Sequence, residues 1–186
     1  MTQFLLPHFA HLTVVDGSAE LLARIPEAKN LEKIHSLFED FAPTRRYNTV
    51  VVEHILEHVD DPVALLRLAG RCCAPGGNIV AGAPNAHSIH RLVAVKMGLL
   101  ASPFELNQRD HALGHRRVYS RDLLREHVAA AGLAIVEVGG VFYKPLSNAQ
   151  MQSQWTPAML DGFYELGKDF PANAAEIFAV CRLPDR

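Results

Sequence analysis

Short apolar runs alternate with helix-period segments along most of the chain. The run 49–52, Thr-Val-Val-Val, has no polar alternation, which suits a strand buried on both faces of a parallel sheet. Further strands are predicted at 12–15, 34–37, 78–83, 134–143 and 176–183, and helices at 19–25, 62–73, 88–100, 121–131 and 157–168. Local punctuation agrees with this reading. Asp60-Asp61-Pro62 sets acids before a proline at the first helical position, and Ala74-Pro75-Gly76-Gly77 turns the chain back toward a strand. Ser120 is placed to cap a helix that Gly132 stops. Residues 103–117 read as a loop and 147–154 as a polar linker. Strands alternating with helices predict an α/β, three-layer, doubly wound and mostly parallel sheet in a single domain over 1–186. Ligands of such sheets bind beyond the carboxyl ends of the strands, which puts Glu53, His54 and Asn85 on the working edge.

Composition narrows the function classes. A chain of 186 residues with 49% hydrophobic content can bury one good core. A formal net charge of -2 gives no global attraction to nucleic acid or anionic membrane, and the pairs Arg45-Arg46 and Arg116-Arg117 read as solvated surface. Three cysteines, two of them adjacent, make no disulfide framework and point to a reducing, cytoplasmic setting. No apolar stretch has the length of a membrane span. Five of the ten histidines (His8, His35, His87, His90, His127) have no partner pattern and are expected to be ordinary surface or packing residues.

Several residues could carry chemistry. His54, Glu57 and His58 lie at i, i+3 and i+4, on one face if the segment is helical, so with His115 they form a candidate metal set. Three imidazoles would favour Zn²⁺ or Fe²⁺ over Mg²⁺. His54 is also a candidate general base, since an ordinary histidine titrates near neutral pH. His115 and Tyr119 are candidates to bind or deprotonate an acceptor. Asp16, in Asp16-Gly17-Ser18, offers either two acceptor oxygens for a vicinal diol or a helix cap, with Ser18 the better cap. Glu39 and Asp40 end the strand 34–37 beside Phe38 and Phe41, as a ligand contact or as an exposed acidic turn.

The order of these features, and above all Leu56-Glu57-His58-Val59-Asp60-Asp61-Pro62 after the strand 49–52, resembles the class I S-adenosylmethionine (SAM)-dependent methyltransferases. The likeness is to the small-molecule group with a "LEHV-DP" signature. It implies a Rossmann-like sheet with an antiparallel C-terminal strand, and methyl transfer from SAM to a small organic acceptor, sugar- or lipid-linked among the options. It further implies that Asp16, Gly17 and Ser18 meet the ribose, that Phe38, Glu39 and Asp40 meet the adenine, and that Glu53 and His54 meet the methionine end. The segment 86–118 would form a substrate lid. Ubiquinone-type O-methyltransferases and small-RNA 3′-end methyltransferases carry Glu-x-x-Glu-His at this place, where it holds a divalent ion. Here His54 replaces the first Glu, and the metal-free alternative, in which Glu57 and His58 only orient the turn, is preferred.

One departure bears on activity. Members of this family begin with a strand and a Gly-x-Gly-x-Gly turn, whereas residues 2–9 read as the tail of the helix after that turn. The first strand and the Gly-rich loop, a unit of about 30 residues, are expected to be absent. An open sheet edge would favour homo-oligomers. Two other readings therefore stand beside the transferase: a non-catalytic protein of the same fold, and a metal-dependent hydrolase or nuclease built on His54, Glu57, His58 and His115.

Overall fold

The computed structural model describes residues 1–146, 148–151 and 155–184, so the expected linker at 147–154 falls partly outside the described residues. The chain forms two compact units, Met1–Thr44 and Arg45–Arg186.

In the first unit, α1 (Thr2–Leu5) runs into a 3₁₀ turn, Leu6–His8, followed by β1 (Leu12–Asp16), α2 (Ala19–Ala23) and β2 (Leu31–His35). β1 and β2 pair in parallel from Leu12↔Leu31 to Asp16↔His35. The second strand starts three residues before the expected 34–37 because Leu31-Glu32-Lys33 extends the ladder despite its two charges. Asn30 fixes its entry by donating to the carbonyls of Leu6 (3.0 Å) and Phe9 (2.8 Å). Ser18 caps α2, its hydroxyl accepting from the Leu21 N–H at 3.2 Å.

The second unit holds β3 (Tyr47–Glu53), α3 (Pro62–Cys72), β4 (Cys73–Pro84), α4 (Ile89–Lys96), α5 (Gln108–Ala112), α6 (Arg121–Ala130), β5 (Ala134–Val141), α7 (Asn148–Met151), α8 (Pro157–Asp169) and β6 (Glu176–Arg182). Its sheet has the order β3-β4-β6-β5. β3 and β4 are parallel, and β6 runs antiparallel to both β4 and β5, as expected for the final strand.

Alternation along the strands shows where the core lies. Val52, Ile79, Ala81, Ala83, Ile177, Ala179 and Cys181 share one face and are all buried. Helices α3 and α6 pack against the sheet through Leu65, Leu66, Ala69, Leu124 and Val128, each spaced to fall on one helical stripe. Small residues at 81, 83 and 179 let the helices approach, so deleting Leu66, which has no exposed surface, would cost about 2–5 kcal/mol. Asp61 caps α3 by accepting from the Ala64 N–H at 2.9 Å, with Pro62 at the first position as expected.

Boundaries in the second unit also differ from the sequence reading. β4 begins at Cys73, directly after α3, because Cys73 already pairs with Tyr47 before the Ala74–Gly77 bulge restores the register at Thr49↔Asn78. The helix expected over 88–100 ends at Lys96, two residues before Gly98 takes a left-handed φ of 72°. The loop expected over 103–117 contains α5, closed at its start by a reciprocal capping box between Asn107 and Asp110.

Candidate functional site

In the first unit, Asp16 ends β1 and Gly17-Ser18 turns the chain into α2. The Asp16 carboxylate accepts from the Ser18 N–H through Oδ1 at 2.7 Å. A carboxylate has about four acceptor positions, so this bond leaves capacity for a diol. His35, on the neighbouring strand, approaches the Gly17 carbonyl through Nε2 at 3.1 Å and steadies the turn. A side chain at Gly17 would press on Leu37, with Cβ 2.9 Å from its Cδ2. Glu39 and Asp40 are exposed in a turn after β2, and Phe38 is half-buried beside them.

In the second unit, the carboxyl end of β3 builds a tighter arrangement. Glu53 pairs across to Gly82 on β4, and its carboxylate occupies the space a Cβ there would fill, 2.0 Å from Oε2. His54 follows with φ of 53°, a left-handed conformation unusual for a residue with a side chain. Its imidazole lies near three carboxylates. Nδ1 lies 3.3 Å from Glu57 Oε1, and Nε2 lies 3.5 Å from both Glu53 Oε1 and Glu176 Oε2. Contact with Glu57 raises the His54 pKa to about 9 against the opposing effect of burial, with Glu176 and Glu53 adding to the rise. Burial pushes Glu53 upward, and it pushes Glu176 up to about 7.

These shifts bear on the chemistry expected of His54: with its pKa raised to about 9, chiefly by Glu57, the imidazole favours its protonated form at neutral pH, which weighs against a general-base role. Glu176, which the sequence reading did not single out, titrates close to neutrality in its place. Its only signal in the chain is a lone acid heading the apolar run Ile177-Phe178-Ala179-Val180.

The segment after His54 is a turn and not the helix that the i, i+3, i+4 spacing required, with the His58 N–H bonding the Ile55 carbonyl at 2.9 Å. Even so, Glu57, His58 and His115 present ligand atoms all within 4.8 Å of one another; His54 stays outside this group. The His58 and His115 rings meet edge to face at 4.7 Å between centroids. Glu57 is 1% exposed, and neither of its carboxylate oxygens has a hydrogen-bond partner among the described residues. The nearby His54 Nδ1 is close enough for charge attraction but is off the line of a hydrogen bond. A buried orphan carboxylate flanked by two imidazoles is a set that a divalent cation would satisfy.

Arg117, half-buried, helps bring His115 to this place, which corrects its reading as solvated surface; the Arg116 side chain stays exposed as expected. The Arg117 guanidinium donates to the carbonyls of Leu56 (2.7 Å), Val59 (2.6 Å) and Asp60 (3.1 Å). Arg116 donates from its backbone N–H to the Glu57 carbonyl at 2.8 Å and from Nε to the His58 carbonyl at 2.9 Å. Tyr119 has no exposed surface, and its hydroxyl bonds His127 Nδ1 at 2.9 Å and reaches the Leu56 carbonyl at 3.5 Å. Burial raises its pKa further above the ordinary phenol value. That disfavours proton release and makes Tyr119 a framework residue beneath the Leu56 turn. Asn85 is buried as well, its amide donating to the carbonyls of Ala172 and Ala174. His127, expected to be ordinary, is the partner of Tyr119.

Residues 1–138 match the family model described as "Methyltransferase domain". The chain is 25% identical over 174 residues to a ubiquinone biosynthesis O-methyltransferase of Marinobacter nauticus, covering 88% of this chain and 66% of that protein. It is 26% identical over 147 residues to the Aeromonas salmonicida protein of the same name, covering 75% and 60%. The chain thus spans somewhat under two thirds of the length of these relatives. Among solved structures it is similar to a SAM-dependent methyltransferase, possible histamine N-methyltransferase, from Thermotoga maritima. That similarity has a TM-score of 0.67 at 14% identity, over 98% of this chain and 77% of the other. It is also similar to a SAM-dependent methyltransferase from Mesorhizobium loti, with a TM-score of 0.63 at 15% identity over 97% and 84%. The Rossmann-like methyltransferase fold is shared with both, and with a family match over most of its length this chain belongs to the methyltransferase-domain family.

Proposed function

We propose that this chain is a SAM-dependent methyltransferase acting on a small organic acceptor. The observation that carries the reading is the family match over 1–138, which spans both Asp16 at the end of β1 and Glu53-His54 at the end of β3. Bound SAM would supply an already activated methyl electrophile, so the protein's part is to hold, orient and exclude water. Asp16 fits the ribose diol through its remaining acceptor capacity. Phe38, Glu39 and Asp40 stand as the adenine contacts implied by the family resemblance. Glu53, seated over Gly82, holds a negative charge at the strand end that suits an amino group. An acceptor hydroxyl needs a base, and His115 suits that task better than His54, because burial lowers its pKa and leaves it neutral near pH 7. The segment 86–118, which carries His115, is assigned as the acceptor lid.

Calorimetric titration with SAM, and with NAD as a control, tests this directly. Saturable SAM binding that weakens in the Asp16→Ala variant supports the reading. No heat at millimolar SAM leaves a non-catalytic protein of this fold.

A second reading has its own observation. The orphan carboxylate of Glu57 beside His58 and His115 fits a divalent cation, and two imidazoles with one carboxylate favour Zn²⁺ or Fe²⁺ over Mg²⁺. Such an ion would orient an acceptor hydroxyl and lower its pKa. Metal analysis of purified protein before and after chelation tests it. No helix among the described residues is long and apolar enough to cross a membrane. Three buried free thiols, Cys72, Cys73 and Cys181, agree with a reducing cytoplasm.

A further inference from the structure

The segment that carries His115 is held at both ends, and the second anchor has no part in the chemistry assigned so far. Arg91, on α4, is only 7% exposed. Its Nε donates to the Pro103 carbonyl at 2.9 Å, one terminal nitrogen donates to the Glu105 carbonyl, and the other donates to Asp110 Oδ2 at 3.1 Å. The same Asp110 oxygen accepts from the Asn107 N–H at 3.0 Å, which completes the capping box of α5. One oxygen of Asp110 is therefore committed to the framework. The other, Oδ1, lies 3.4 Å from His115 Nδ1, close enough for charge attraction, with both side chains nearly buried. The His115 N–H also bonds the Asp110 carbonyl at 2.9 Å, so backbone and side chain fix the same pair.

Burying an arginine and an aspartate together costs several kcal/mol of desolvation for each ion, and stapling a loop does not require it. The arrangement gains a purpose in what it does to the imidazole. A carboxylate beside Nδ1 stabilises the proton on that nitrogen and leaves the Nε2 lone pair outward. Free histidine prefers the opposite tautomer, so the Nδ1–H form needs a cause.

We propose that Asp110, pinned by Arg91, is a positioning residue that holds His115 in the Nδ1–H tautomer and so keeps Nε2 as its lone-pair donor. The proposal rests on His115 being a site residue. Its consequence is the same whether Nε2 takes a proton from an acceptor or ligates a cation.

The test is nitrogen NMR of histidine side chains in ¹⁵N-labelled full chain at pH 8, with the His115→Asn variant used to assign the His115 signal. The expected result is the Nδ1–H pattern in the parent protein and a shift toward Nε2–H in Asp110→Asn. The Nε2–H form in the parent protein overturns the proposal, and so does an unchanged tautomer in Asp110→Asn. Should the single variant fail to fold with Arg91 left unpaired, R91M/D110L removes both buried charges at once and carries the same expectation. A Zn²⁺ titration forms a separate arm, in which Asp110→Asn should weaken affinity by about 10-fold. If the parent protein binds no Zn²⁺ while the tautomer result holds, the cation reading fails and the positioning role stands.

Discussion

Arg117 holds the Leu56–Asp60 turn, and Arg117→Met measures how firmly. The guanidinium makes three bonds to backbone carbonyls, two of them part-buried (Leu56 at 2.7 Å, Val59 at 2.6 Å) and one exposed (Asp60 at 3.1 Å). Charge-assisted bonds contribute about 1.5–3 kcal/mol each when shielded from water, and the exposed one contributes little. Methionine fills similar space but donates nothing, so water must reach the two inner carbonyls or leave them unpaired. Discounting for partial exposure, the loss should be about 2–4 kcal/mol. Arg116→Met is the matched control. Its guanidinium pairs with Asp60 and donates to the His58 carbonyl, but these contacts are exposed, with the two side chains at 52% and 81%, so its loss should stay below about 1 kcal/mol. Urea denaturation followed by circular dichroism reads both, and the midpoint should fall for Arg117→Met with an unchanged slope. If the two variants lose the same small amount, the clamp is no better than solvent and the argument that it seats Glu57 and His58 is wrong.

Other outcomes follow from the same geometry. Gly82→Ala should leave the fold standing, because the Cβ meets only the far end of the Glu53 side chain, yet weaken SAM binding about as much as Glu53→Gln; equal affinity in Gly82→Ala and the parent would remove Glu53 from the cofactor site. Asp16→Ala should lower SAM affinity by about 10-fold or more, the loss expected for a charged contact to a diol, as read by calorimetry. His90 is held down to about 4 by burial, so folding favours its neutral form: that stability is present above its unfolded value near 6.5 and is lost as pH falls toward 4. The acid-side drop in denaturation midpoint should flatten in His90→Leu, and an unaltered drop would place the acid sensitivity elsewhere. Glu176 and His54 act on the other side, since both are raised. Their stabilisation is lost as pH rises, from about 4.5 to 7 for Glu176 and from 6.5 to about 9 for His54, and Glu176→Gln should blunt the earlier part of that decline.

Much of the fold could be read from the chain because its signals are local. Thr49–Val52 became the middle of β3, although burial on both faces does not hold there, since Val51 is exposed on this edge strand; Asp61-Pro62 started α3 where a cap and a proline must. The boundaries that moved did so through partners distant in sequence: Tyr47 pairs with Cys73 and starts β4 early, and Leu12 pairs with Leu31 and pulls β2 forward despite Glu32 and Lys33. The site shows the same division more sharply. His54, Glu57, His58 and His115 were visible as residue types, but spacing placed the first three on a helix that does not form, and only two of them join His115.

What the spacing could not carry was charge state. An isolated histidine near pH 6.5 is a reasonable base; one ringed by Glu53, Glu57 and Glu176 is an ion at neutral pH. Two of those acids, Glu53 and Glu57, sit beside His54 in the sequence, yet the third arrives on the last strand, more than a hundred positions later. The same holds for Arg117, whose guanidinium looks like surface charge until the carbonyls of residues 56–60 come within reach. Long-range antiparallel pairing of β6 with β4 therefore does more than finish the sheet. By setting Glu176 opposite Pro84, at the end where β3 releases His54, it adds a third carboxylate to the two nearby acids, of which Glu57 acts most strongly on the His54 charge.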